Sequence, residues 1–123
     1  MELDLFLFNN DRQSPLAFLP QYLIVECKNW AAAVNSATVR DFIAKLHSTH
    51  QEVGILVAAN GITGDAQDQT AANDIIREAF DRGNIKLIVL TRAEIEAFRS
   101  QDDIVLLFEH KYGKACLRST TLT

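Results

Sequence analysis

Apolar and polar residues alternate over Glu2-Leu3-Asp4-Leu5-Phe6-Leu7-Phe8. This period of two predicts a strand with Leu3, Leu5 and Leu7 on one face and Glu2, Asp4, Phe6 and Phe8 on the other. Asn9-Asn10-Asp11 is a turn signal, and the stretch on to Pro20 reads as a hairpin connection with Leu16 to Leu19 briefly extended. Tyr22-Leu23-Ile24-Val25-Glu26-Cys27-Lys28 is an apolar run ending in charges, the pattern of a central strand. From Ala37 to about His50 the apolar positions Val39, Phe42, Ile43 and Leu46 recur at helical spacing, with Asn35 or Ser36 as the N-cap. Val53 to Ala59 is a second buried strand, closed by Asn60-Gly61. A helix from about Asp65 to Arg82 buries Ala72, Ile75, Ile76, Ala79 and Phe80, and Gly83-Asn84 supplies its left-handed cap. Ile85 to Leu90 is a further apolar strand, after which Thr91 and Glu94 have capping-box spacing. A last helix covers Asp103 to Tyr112 and stops at Gly113, leaving a polar, loose tail over 114–123.

The order β, β, α, β, α, β, α, α predicts an α/β fold, a mixed β-sheet flanked by helices on both faces. All 123 residues fit one domain, and a chain of this length buries roughly two-thirds of its unfolded surface. The formal charge of −4 excludes a generally basic nucleic-acid-binding surface but leaves room for a local basic patch. Cys27 and Cys116 have no ligand-like spacing, which fits a reducing compartment. With no basic-then-apolar leader and no apolar run near the ~20 residues of a bilayer span, a cytoplasmic location without membrane contact is expected.

One group of residues carries chemistry. Glu26 and Lys28 are two apart on the apolar strand, so they share a face that Cys27 does not. Asp4 lies on the preceding strand, and pairing of the two strands brings Asp4, Glu26 and Lys28 together near the strand ends. Two carboxylates a few ångströms apart repel by several kcal/mol at an effective dielectric of about 20, so cationic charge must sit between them. Lys28 supplies part of it, and a hard divalent ion such as Mg²⁺ supplies the rest. A metal beside a lysine suits phosphodiester hydrolysis, in which the ion polarises the phosphoryl group and Lys28 orients the attacking water or offsets developing charge.

Glu-Leu-Asp-Leu at 2–5, a hairpin, and Leu-Ile-Val-Glu-Cys-Lys-Asn-Trp at 23–30 resemble the PD-(D/E)XK, or restriction-endonuclease-like, nuclease superfamily. The Glu-Cys-Lys-Asn-Trp segment is most similar to its Mrr-type branch, and the resemblance runs to about Phe98 through Gly-Ile-Leu-Val-Ala-Ala-Asn-Gly-Ile-Thr. It implies a restriction-endonuclease-like sheet. It also implies Asp4 and Glu26 as ligands of Mg²⁺ (with Mn²⁺ as substitute), the backbone carbonyl of Cys27 as a further ligand, and Lys28 as the catalytic lysine. Members usually carry a helix before the first catalytic strand. Here that strand begins at Glu2, which suggests a trimmed fragment, an element supplied by a partner, or lost activity.

Other residues are weighed against plainer roles. Asn60-Gly61-Ile62-Thr63-Gly64 lacks the lysine of a P-loop and reads as a strand-to-helix turn. His47 and His50 read as helix-end histidines. Trp30 is a stacking residue or an anchor between strand and helix. Arg40 and Lys45 lie off the apolar helix face, where they touch phosphate backbone or remain solvated. Cys27 is a packing residue, since no histidine is placed to activate it. The expected function is Mg²⁺-dependent DNA endonuclease activity, with a homodimer or a fused or partner DNA-recognition domain to reach both strands. The alternative is a catalytically weak or inactive module of the same fold that binds DNA or protein.

Overall fold

The computed structural model describes residues 2–8, 15–20, 22–28, 31–62 and 65–117, the first of these segments by its backbone. Strands Glu2–Phe8 (β1), Tyr22–Lys28 (β2), Val53–Ala58 (β3) and Lys86–Leu90 (β4) form one sheet in the order β1-β2-β3-β4. β1 runs antiparallel to β2 in a register that pairs Glu2 with Lys28 and Phe8 with Tyr22. β2, β3 and β4 are parallel, so their carboxyl ends lie along one edge. Helices Ser36–Ser48 (α1) and Ala66–Gly83 (α2) are the crossovers, followed by the short Arg92–Glu96 (α3) and by Gln101–Cys116 (α4).

The helix boundaries follow from local chemistry. The Asn35 side chain accepts from the Thr38 backbone N–H and caps α1, and the Asp65 side chain does the same for α2. Asn84 ends α2 at φ 53°, a left-handed position that asparagine adopts readily. Thr91 and Glu94 form the expected reciprocal capping box on α3. Two expectations are corrected. Residues 15–18 form a turn rather than an extended piece, with the Leu19 N–H donating to the Leu16 carbonyl at 3.0 Å, because Pro15 presets a turn conformation. α4 also passes through Gly113 to Cys116, so Lys114 to Cys116 are helical and not tail. An interior glycine costs about 1 kcal/mol, which the Ser100 cap and the packing of Leu107, Phe108 and Tyr112 outweigh. Residues 118–123 lie outside the described residues, as do the side chains of β1 and so the faces expected for Leu3, Leu5 and Leu7.

Alternation along β2 and β3 divides the core between the two faces of the sheet. Ile24, Leu56 and Leu87 pack against Val39, Phe42 and Leu46 of α1 and Ala72 and Ile76 of α2. Leu23, Val25, Ile55, Ile88 and Leu90 pack on the other side against Leu19 and against Leu107, Phe108 and Tyr112 of α4. The seat of α1 depends on Gly54. A Cβ built there would stand 2.5 Å from Leu46 Cδ1 and 3.0 Å from Phe42 Cε2, and both of those side chains are fully buried. Gly54→Val is therefore expected to lift α1 and destabilise the fold by about 1–3 kcal/mol, the usual cost of overpacking. A lower urea midpoint with unchanged slope would report it, and an unchanged midpoint would show that α1 yields without strain.

Candidate active site

The carboxyl edge of the parallel strands is tied together by backbone hydrogen bonds. The Ala59 N–H donates to the Lys28 carbonyl at 3.1 Å, and the Arg92 N–H donates to the Ala59 carbonyl at 3.2 Å. Gly61 turns the chain at φ 74°, which glycine adopts without a Cβ penalty, and its carbonyl accepts from the Val34 N–H at 2.9 Å. The ends of β2, β3 and β4 are thus held in fixed relation. Open α/β sheets bind their ligands at this edge.

Glu26 and Lys28 occupy the same face of β2 as Ile24, the face covered by α1 and α2. Both are buried, at 5% and 6% exposure, among otherwise apolar core residues. Across the sheet Glu26 stands between Asp4 of β1 and Leu56 of β3, and Lys28 stands between Glu2 and Ala58. An isolated buried charge costs several kcal/mol, so these two persist through their partners. The Lys28 Nζ lies 3.7 Å from Glu26 Oε2, and the Lys45 Nζ reaches Glu26 Oε1 from α1 at 2.6 Å. One carboxylate is held between two ammonium groups. Burial, followed by the nearby Lys45 charge, holds the Lys28 ammonium below its ordinary pKa, against the opposing pull of Asp41.

The predicted residues are distributed as follows. Glu26 and Lys28 are brought together as the strand pattern requires. Asp4 is the register partner of Glu26, while its side chain lies outside the described ones. Cys27 turns to the opposite layer and packs beside Leu23 and Val25. Lys45, expected to be solvated or to contact phosphate, pairs with Glu26 at 2.6 Å while its side chain stays 39% exposed. Arg40 is exposed and lines a separate groove along α1 and α2 with His47 and Arg82. Trp30, Thr63 and Gly64 lie outside the described residues. Among the described side chains no three His, Cys, Asp or Glu residues cluster as a metal site. Sequence reading missed the Glu26–Lys45 pair and the influence of Asp41. The available signal was the place of Lys45 beside Leu46, at the margin of the buried face of α1.

A cavity of about 230 Å³ opens beside Lys28 at the same edge, lined by Cys27, Val57, Ala59 and, from α3, Arg92, Ile95 and Glu96. Its walls are mainly apolar, and Arg92 and Glu96 on α3 pair with each other at 3.7 Å. The size suits a small ring or a sugar.

The sequence model of the Mrr-type restriction endonuclease domain, Mrr_cat, matches residues 3–94. The chain belongs to this family. The match begins at β1 and ends within α3, so the Mrr-type domain contains Asp4, Glu26, Lys28, Lys45 and the cavity residue Arg92. No curated protein matches the chain. Membership makes the domain a nuclease by family and sets the buried charges of β2 in a nuclease framework. Among the described residues, no helix of this Mrr-type domain is long and apolar enough to cross a membrane.

Proposed function

We propose that this Mrr-type domain is a divalent-metal-dependent DNA endonuclease of the restriction-endonuclease-like fold, with Asp4 and Glu26 as metal-binding carboxylates and Lys28 as the catalytic lysine. The observation that carries the reading is the buried Glu26–Lys28 pair on β2, with Asp4 as the register partner of Glu26. Directly opposed residues of an antiparallel pair lie about 5 Å apart on one face, close enough for two carboxylates to share one ion. The donor chemistry fits a hard cation. Glu26 contributes a buried carboxylate to that donor set, at a position that already holds cationic groups. Asp4, Glu26 and the Cys27 carbonyl would hold the ion, which polarises a phosphoryl oxygen and acidifies a water when bound.

The remaining steps belong to the chain. Lys28 is close enough to Glu26 to stay oriented, so its ammonium meets a phosphate held at Glu26 as negative charge develops there. The cavity accommodates the sugar or base next to that phosphate, with the Arg92–Glu96 pair on its far wall. With a net charge of −4 the chain has few phosphate contacts to give, so a second copy or a DNA-reading domain completes substrate capture.

The test is nicking of supercoiled plasmid at high protein concentration. Conversion to the open circle is expected with Mg²⁺ or Mn²⁺ and not with EDTA, and Asp4→Asn should lower it at least tenfold. Equal nicking by the wild type and Asp4→Asn would remove Asp4 from the site. Metal binding without nicking would favour a non-catalytic module of the same fold.

A further inference from the structure

The Lys45 ion pair raises a question of its own, because it places an ammonium group where the proposed metal would sit. Its Nζ lies 2.6 Å from Glu26 Oε1, closer than Lys28 is to the other carboxylate oxygen. A Mg²⁺ ion binds a carboxylate oxygen at about 2.1 Å, so metal and ammonium cannot share that oxygen without close contact between like charges. That like-charge contact favours release of one of them.

The two lysines differ in their freedom to do so. The Lys28 side chain is 7% exposed and rises from the interior strand β2. The Lys45 side chain is 39% exposed and rises from α1 on four flexible methylenes, so its ammonium can exchange Glu26 for water with little desolvation to reverse. Without metal, Lys45 fulfils a need that the burial of Glu26 creates, since a buried carboxylate lacking a close cation is strongly unfavourable.

We propose that Lys45 is a resident stand-in for the metal, an ammonium group that occupies the Glu26 ligand position in the metal-free protein and is displaced when a divalent ion binds. The proposal rests on the reading of Glu26 as a metal ligand. Lys45 is a positioning residue in this scheme. It holds the Glu26 side chain in place, and it sets how much metal is needed to load the site. Displacement also returns a cationic arm to the surface of α1. A merely structural ion pair would behave oppositely, because its loss would loosen Glu26 and weaken metal binding.

Calorimetric titration of the full chain with Mn²⁺ separates these cases. Lys45→Met keeps the length and apolar stem of the side chain while removing the competing charge. It is expected to bind Mn²⁺ at least tenfold more tightly than the wild type, and Lys45→Gln should shift in the same direction. Lys45→Arg keeps the charge and should stay within about threefold of the wild type. The metal-free Lys45→Met protein should melt below the wild type and recover the difference at saturating Mn²⁺. Lys45→Met and Lys45→Gln affinities equal to or weaker than the wild type would overturn the proposal while leaving Glu26 as a ligand. Absence of Mn²⁺ binding by every form would overturn the metal reading and this proposal with it.

Discussion

Lys28→Ala is expected to lower DNA cleavage by about 10²–10³-fold, the usual effect of removing a positioned group that stabilises charge in the transition state. The loss should fall on kcat more than on KM, because the ammonium acts on the phosphoryl group as charge accumulates rather than on the bound ground state. Stability should move the other way. Lys28 is a buried ammonium held below its ordinary pKa of 10.5 by burial and by Lys45. Between its folded value and 10.5 the unfolded chain binds the extra proton, so stability rises with pH through that window, and protonated Lys28 costs stability below it. Lys28→Met, which fills the space with an apolar side chain, should therefore be as stable as the wild type or more stable at neutral pH, and should lose the rise toward pH 10.5. Single-turnover cleavage and urea titrations at several pH values measure the two effects. A variant both active and unchanged in pH dependence would make Lys28 a bystander.

Glu26→Gln should destabilise the fold by about 3 kcal/mol at neutral pH. The substitution keeps the shape but removes an anion within salt-bridge range of both the Lys28 and Lys45 ammonium groups. Lys45 can retreat to water and Lys28 cannot, which places the cost at the low end of the range for a broken buried pair. The same variant should abolish metal-dependent stabilisation. For the wild type that gain is expected to be about 2.7 kcal/mol when Mg²⁺ or Mn²⁺ is present at 100 times its dissociation constant. Denaturation curves with and without metal give both numbers. A loss under about 1 kcal/mol would mean that water reaches the pair in solution, and equal metal shifts in the two proteins would remove Glu26 from the ligand set.

Elements with strong local signals were legible in the chain itself. The bounds of β2 follow from its apolar run and terminal charges, and the cap of α1 at Asn35 and the box at Thr91 and Glu94 follow from side chains that satisfy backbone donors nearby. Gly113 misled because a glycine stops a helix only where no packing carries it onward, and that packing is tertiary. At the site, Glu26 and Lys28 were readable as neighbours on one face because period-two geometry is local. The Lys45 contact was not, since it depends on how far along α1 the helix crosses the sheet. That distance is set by Leu46 and Phe42 closing on Gly54, a fit between segments far apart in sequence.

The cavity beside Lys28 is built from two different parts of the chain. Asp4, Glu26, Lys28 and Lys45 all come from the first 45 positions, on β1, β2 and α1. The far wall of the cavity, Arg92 and Ile95, comes from α3, whose start is joined to the β3 end through the Arg92–Ala59 backbone hydrogen bond. Under the proposed function, chemistry and selection would be carried by separable modules that meet at β2. Side chains of α3 could then be exchanged to change what fits the cavity while the charges on β2 keep their neighbours, so that targets diversify without rebuilding the reactive centre.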